Sequence, residues 1–439
     1  MGFFSRCLTA IISFLFSVTA FIGTLPGFTA ADIGYETAYG NPLKGFVPFS
    51  EKADSSDGAV RYSMEFFYIP LSELIRDDGT YRIREGLEPH LEKAASLSHQ
   101  SIFRVYLDYP ASETKDGAVP KYIWDMGVKK IPYTEFGGGI SPDYTDDRLI
   151  DELVRFIKAL AKEYDGDRRI AYITAGLLGH WGEWHCFACP EAMASDEQQE
   201  KIANAFTESF TKTKILMRYP GTPGTGNGKT GFHDDSFTYE TLGDKSSSWF
   251  FMNRLKKAKQ TKNWQTQPIG GEFRPEGQSD FLDGKASEEY QNFDECVKKT
   301  HCSWLMMNGA FSAGLTSEQA KRAEEASASL GYDLTVKKAA VRRIFGKSTV
   351  TVAVKNVGNA PLYTDAEIII KCGETEIKAN GKPLSELMPG CTFLYKASFS
   401  PTDGNSISVK ISSPGTLTPI RFSNTGCGSD GILTLGKIG

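Results

Sequence analysis

The sequence predicts an α/β protein, a (β/α)8 TIM barrel followed by an all-β immunoglobulin-like sandwich. Two observations carry this. Short apolar or β-branched runs alternate with amphipathic stretches over roughly the first 300 residues. Near residue 330 the texture changes to period-two alternation punctuated by Gly, Asn and Pro. The predicted division is residues 1–31 as a leader, 32–331 as the barrel and 332–439 as the sandwich.

The leader comes first. "MGFFSRCLTAIISFLFSVTAFIGTLPGFTAAD" has one Arg, no acid before Asp32 and an apolar core from Leu8 to Ile22, followed by Pro26, Gly27 and small residues. This reads as a secretory signal cut after Ala30 or Ala31, with a membrane anchor as the alternative; the apolar core is short for a span. No later segment is long and apolar enough to cross a bilayer. Loss of Arg6 moves the formal charge from −5 to −6. Mild acidity without a basic patch gives no footprint for nucleic acid. A secreted or cell-surface protein with 12% aromatic residues suits a carbohydrate partner as well as a large core.

Eight candidate strands follow: 45–49, 60–70, 101–110, 169–177, 214–220, 230–237, 267–273 and 303–309. Between them lie helix-like segments, "GLEPHLEKAASLSHQ", "DDRLIDELVRFIKALAKEYDG" and "DEQQEKIANAFTESFTKT". The second places apolar residues at 149, 150, 153, 154, 156, 157 and 160, a helical period, and stops at Asp165-Gly166. A doubly wound sheet is the alternative, weakened because no Gly-rich nucleotide fingerprint follows the first strand. "GTGNGKT" within "YPGTPGTGNGKTG" mimics a phosphate loop with the wrong spacing, and reads as a loop over the site. Beyond 332, about seven short strands and no helix past a turn at "LSELM" fit a sandwich.

Seven cysteines remain after Cys7 leaves with the leader. In an oxidising compartment Cys296/Cys302 and Cys372/Cys391 are expected to pair, with Cys427 left over. "HCFAC" leaves three readings open for Cys186 and Cys189: a local disulfide, two free thiols, or a zinc half-site with His185 that lacks a second ligand pair.

Active sites of such barrels sit at the C-terminal ends of the strands. That places Glu65, Tyr68, Arg104, Asp108, His180 to His185, Arg218, Tyr219, His233 to Asp235, Glu272, Arg274 and Asn308 together. Two acids share a context, Gly-Glu-Trp at 182–184 and Gly-Glu-Phe at 271–273. Cleavage of a sugar acetal needs one protonated and one ionised carboxyl group. Glu183, between Trp181 and Trp184, is expected in an apolar setting that raises its pKa and suits a general acid. Glu272, near Arg274, is expected to be ionised and to act as nucleophile. Trp181, Trp184 and Trp304 are candidates for stacking on sugar faces. His180, His185, Arg104, Arg218, His233, Asp234, Asp235, Arg274 and Asn308 are candidates for hydroxyl contacts. No cofactor is expected.

Blander roles stand beside each. A lone Glu at a strand end is more often an ion-pair partner. Arg104 could equally be the buried partner of Asp108 or Glu65. His180, His185, His233 and Asp234 could bind a metal, although such histidines are more often simply hydrogen-bonded.

An acid after the fourth strand and another at the seventh resembles the large retaining clan of (β/α)8 glycoside hydrolases. Together "NPLKGFVPF", "FFYIPLSEL", "FRVYLDYP", "YDGDRRIAYITAGLLGHWGEWH" and "FHDDSF" resemble a family of secreted bacterial proteins carrying DUF4874 and DUF4832 domains. The resemblance implies a glycosidase-like barrel, a β-sandwich and a retaining reaction with Glu183 as acid/base and Glu272 as nucleophile. A non-catalytic carbohydrate-binding protein on the same barrel is the alternative. One position departs from the clan, which has Asn before the acid of the fourth strand to hold the sugar 2-hydroxyl. Here that place is Gly182, so His180 or Asn308 would have to substitute.

Overall fold

A computed structural model describes residues 28–53, 58–243, 247–344, 347–400 and 405–438. Most of the expected leader, with Cys7, lies outside them. Two compact units emerge, Tyr39–Gly331 with Gly415–Thr418, and the remainder.

The larger unit is the barrel. Its strands are β1 (Gly45–Val47), β2 (Met64–Pro70), β3 (Gln100–Tyr106), β4 (Ile170–Thr174), β5 (Lys214–Met217), β6 (Gly231–Phe237), β7 (Ile269–Phe273) and β8 (Trp304–Met306). Each pairs in parallel with its neighbours in the order β1-β8-β7-β6-β5-β4-β3-β2. The remaining seam is joined by a parallel bridge from Phe49 to Phe66 and by the Phe66 amide donating to Pro48 O at 2.9 Å. All eight expected strands are present.

The helices that shield the sheet are α1 (Ile83–Ser96), α2 (Asp147–Tyr164), α3 (Asp196–Ser209), α4 (Phe251–Lys257), α5 (Gln278–Asp283), α6 (Phe293–Thr300) and α7 (Ser317–Ser329). In α2 the predicted stripe is the buried one, with Leu149, Ile150, Leu153, Phe156, Ile157 and Leu160 against the sheet. Asp146 caps its first turn through the Arg148 amide at 2.9 Å. Helix α3 starts with a capping box in which Ser195 and Gln198 satisfy each other's backbone N–H. The alternation is less complete than the sequence suggested. No helix joins β5 to β6, because Gly221, Pro223, Gly224, Gly226 and Gly228 fill that crossover with turn formers.

Inside the barrel the Trp304 indole lies between two rings, Phe66 (centroids 6.5 Å apart, 27° between planes) and Tyr172 (6.1 Å, 14°). It is 1% exposed. Trp304 is therefore part of the barrel's packed interior, not the sugar platform expected of it.

The smaller unit is all β. One antiparallel sheet runs Phe28–Ala30, Leu433–Ile438, Ser406–Ser412, Glu367–Cys372, Thr375–Lys378; the other comprises Leu334–Ile344, Lys347–Asn356 and Thr392–Phe399. In Lys347–Asn356 every second residue is buried, with Val350, Val352 and Val354 facing inward. Residues 28–38 group with this unit rather than with the barrel.

The cysteine expectations are corrected. All seven cysteines among the described residues are free. Cys296 in α6 points to Gln291 Oε1 at 3.8 Å, while the Cys302 thiol donates to Trp304 O at 3.3 Å. Cys372 is buried and Cys391 exposed. Nearness along the chain did not set the direction of either pair. Among the described residues no helix is long and apolar enough to cross a membrane.

Candidate active site

The loop after β4 is tied into a knot that lifts Glu183 into the barrel mouth. Leu177 N donates to Val105 O at 2.8 Å, Trp181 N to Asp108 O at 2.8 Å, His180 N to His185 O at 2.9 Å and Glu183 N to His180 O at 2.8 Å. Leu177, Trp181 and Trp184 take φ of 73°, 51° and 60°, a region L-residues avoid. The hydrogen bonds overdetermine these conformations. Gly182 shares the left-handed region (φ +69°), and a Cβ there would meet Val105 O at 3.1 Å and Arg104 Cδ at 3.3 Å. An Asn at this place would be strained and aimed at the wall.

Arg104 is the hub beneath this knot. Its Nε donates to Thr174 Oγ1 at 3.2 Å, Nη1 to Glu183 Oε1 at 3.4 Å and Nη2 to Asp235 Oδ2 at 2.9 Å. Its partners are thus Glu183 and Asp235, not Asp108 or Glu65. Asp108 instead accepts from Tyr133 at 2.6 Å and His180 Nδ1 at 2.7 Å, and Glu65 pairs with His99 Nδ1 at 2.6 Å. Arg218 Nε stands 3.6 Å from Glu183 Oε2 and 3.5 Å from Asp235 Oδ2, and His185 Nε2 stands 3.6 Å from Glu183 Oε2.

These neighbours overturn the charge expected of Glu183. Burial and Asp235 push its carboxyl up, but His185, Arg104 and Arg218 outweigh them and hold it below the usual carboxylate range. The apolar setting did not materialise. Trp184 turns into the core, 4% exposed, with its Nε1 donating to Ala175 O at 2.8 Å. Asp235 is buried too, yet Arg104, His233 and Arg218 hold it well below the usual range. Burial lowers His233 to about 4, so its neutral ring gives the Nδ1 proton to Asp235 Oδ1 at 2.8 Å.

Glu272 is the reverse. It has no hydrogen-bond partner among the described residues, and burial together with the charges of Asp235 and Glu183 pushes its carboxyl well above the usual range. Arg274, expected to keep it ionised, pairs with Glu276 at 2.6 Å instead. The strand is built around this carboxyl. A Cβ on Gly270 would strike the Trp304 ring at 2.1 Å, and one on Gly271 would strike Asp234 O at 2.0 Å. Gly271 pairs with Asp234 and Phe273 with Phe237, so Asp235 and Ser236 together face Glu272 across a bulge. Asp234 is held by Thr241 Oγ1 at 2.7 Å and the Ser236 amide at 3.2 Å.

Both glutamates open into one cleft of about 1220 Å3, above the usual range for small-ligand pockets. Trp181, His185, Arg218, Asp234, Asp235 and Arg274 also line it. So do Tyr109, Phe136, Phe187, Tyr219, Trp249 and Arg254. Of these only Tyr219 stood out in the sequence, because the aromatic residues among the rest lie on connections with no strand-end signal and Arg254 lies within α4. Phe187, 69% exposed, stacks on His185 at 4.3 Å, and Trp249 is 56% exposed. Exposed aromatic rings beside carboxylates are a surface for sugar faces.

Other expected contacts are not in the cleft. His180 is fully buried, giving its Nδ1 proton to Asp108 and accepting the Ala188 amide on Nε2 at 3.2 Å. Asn308 Oδ1 accepts the Phe49 amide at 3.0 Å across the β8–β1 seam. Neither substitutes for the missing Asn. Among the described residues no group of three or more His, Cys, Asp or Glu side chains is placed to hold a metal ion. His180 spends both ring nitrogens, on Asp108 and on the Ala188 amide.

No protein-family model and no curated protein matches the sequence. Among solved structures, endo-glycoceramidase II from Rhodococcus sp. in complex with a five-membered iminocyclitol aligns at 10% identity and TM-score 0.42, over 85% of this chain and 100% of that one. A GH5-4 broad-specificity endoglucanase from an uncultured bacterium aligns at 11% and 0.37, over 64% and 83%. Pseudomonas stutzeri endoglucanase Cel5A in complex with cellobiose aligns at 10% and 0.34, over 62% and 85%.

Proposed function

We propose that the protein hydrolyses a glycosidic bond in this cleft, with Glu272 as proton donor and Glu183 as the ionised carboxylate. One observation carries the reading: two carboxyl groups face the same cleft in opposite electrostatic settings, Glu183 against Arg104, Arg218 and His185, and Glu272 largely buried with no hydrogen-bond partner among the described residues. The Glu272 proton passes to the glycosidic oxygen as its bond to the anomeric carbon breaks. With retention, a Glu183 oxygen bonds to that carbon. Glu272, now a carboxylate, then takes a proton from the water that releases the sugar. These roles are the reverse of those the sequence suggested. In this reading the apolar N-terminal segment exports the protein, and its substrates are glycans outside the cytoplasm. Phe28–Ala30 pairs with Leu433–Ile438, so the expected cut after Ala30 or Ala31 would remove a paired strand.

The test is a panel of glycans and aryl glycosides. Glu272→Gln should lose substrates with poor leaving groups and keep the first step on activated aryl glycosides, which leave unprotonated. Glu183→Ala should lose both. The opposite pattern returns the roles to the sequence expectation, and equal losses on every substrate make both acids structural. Proton NMR of the first-formed anomer reads retention.

A second reading, carbohydrate binding without catalysis, draws on the place of Gly182 and on a Glu183 already faced by two arginines and a histidine. No turnover by the wild type, with glycan binding that Trp181→Ala abolishes, would establish it.

A further inference from the structure

Tyr219 carries two cations. The guanidinium carbons of Arg218 and Arg254 lie 4.6 and 4.2 Å from its ring centroid. The nitrogen of Arg218 nearest Glu183 and Asp235 is Nε, at 3.6 and 3.5 Å, both longer than a hydrogen bond. Arg254 makes one long contact, Nε to Pro220 O at 3.5 Å, and no ion pair among the described residues. Among the acids that line the cleft, Glu276 pairs with Arg274, Asp234 accepts from Thr241 and Glu240 from the Trp249 indole at 3.2 Å, and none forms an ion pair with Arg254 among the described residues. A half-buried guanidinium beside another one, without a counter-ion, is costly to keep. Burial and the charge of Arg218 both lower the Arg254 pKa, the direction expected of a cation lacking an anion.

We infer that the cleft takes a sugar bearing a fixed negative charge, a carboxylate or a sulfate ester, seated on Arg254 with Arg218 beside it at Tyr219. This rests on the glycosidase reading of the same cleft and narrows its substrate class. A guanidinium fork matches either oxyanion with two parallel hydrogen bonds, and Arg254 has donors to spare. Arg218 reaches Glu183 and Asp235 only at 3.5–3.6 Å and lines the same cleft as Arg254, so the two guanidinium groups can share one anion.

Titration calorimetry on the whole protein tests this without requiring turnover. The probes are a galacturonic acid tetrasaccharide with its carboxyl-reduced form, and a carrageenan tetrasaccharide with its desulfated form. At least one charged probe should bind about tenfold or more tightly than its neutral counterpart. The charged form that wins identifies the anion. Arg254→Met should erase that advantage, so that the charged and neutral forms bind alike, while Arg254→Lys should keep part of it and control for folding. Equal affinities within both pairs, no binding of any probe, or an advantage that survives Arg254→Met would overturn the inference. An acidic glycan held through Arg254 but never cleaved would sink hydrolysis alone. Cleavage of charged and neutral glycans at equal rates, with no change in Arg254→Met, would sink the anionic subsite alone.

Discussion

Arg104 on β3 reaches across the barrel to Asp235 on β6, Nη2 to Oδ2 at 2.9 Å, with side chains 2% and 7% exposed. The same guanidinium also holds Glu183. Arg104→Met would leave two buried carboxylates facing Arg218 alone. Removing one partner of a buried pair costs about 3–5 kcal/mol, so denaturant midpoints should fall accordingly. A loss under about 1 kcal/mol would mean that water already screens the network.

Glu272→Gln should stabilise the protein while losing turnover of substrates with poor leaving groups. The folded-state pKa of Glu272 lies above its unfolded value of about 4.3. The fold therefore resists its ionisation, and stability falls as pH rises from the unfolded value through the folded one. Gln does not titrate. The variant's gain should appear above that window, at about 2–4 °C in Tm per kcal/mol, and vanish at lower pH where both forms are neutral. A variant less stable than wild type at pH 7 would contradict the reading.

The profile of kcat/KM against pH should be a displaced bell. Its acid limb follows Glu183, whose depressed pKa keeps it ionised below the usual carboxylate range. The alkaline limb follows Glu272, which keeps its proton above that range. An alkaline limb at the ordinary carboxylate pKa would show that Glu272 does not supply the proton.

Aromatic substitutions should separate wall from core. Trp181→Ala and Trp249→Ala should each weaken glycan affinity about two- to tenfold, the scale of one ring contact, with little change in Tm. Trp184→Phe removes the bond to Ala175 O and should cost about 1–3 kcal/mol of stability. Affinity unchanged in both surface variants would place the sugar elsewhere.

Alkylation followed by mass spectrometry should label Cys391 first. Cys186, Cys296 and Cys302 are buried, and burial raises their thiols, so they should react only on unfolding. Recovery of a Cys296–Cys302 bridge would contradict the arrangement.

The eight strands and both glutamates were legible because each rests on a local signal: a β-branched run bounded by turn residues, and an acid beside Gly and an aromatic. The charge of Glu183 was not. It depends on Arg104 and Arg218, 79 and 35 residues away in the chain, and on a Trp184 indole that one left-handed residue rotates into the core. Trp304 misled for a similar reason, since a short strand does not reveal which end of the barrel its side chain faces. The β5–β6 crossover was legible as a loop from its glycines, and no helix interrupts it.

The two glycines before Glu272 carry a last implication, for how this chain tolerates change. Neither Gly270 nor Gly271 could touch a substrate, yet one leaves room for an indole and the other for a backbone carbonyl. Any side chain there would displace β7 and carry Glu272 with it. A saturation library scored for activity should find these two blank positions as intolerant as the acids. The strand can exchange its chemistry at 272 more easily than its emptiness at 270 and 271.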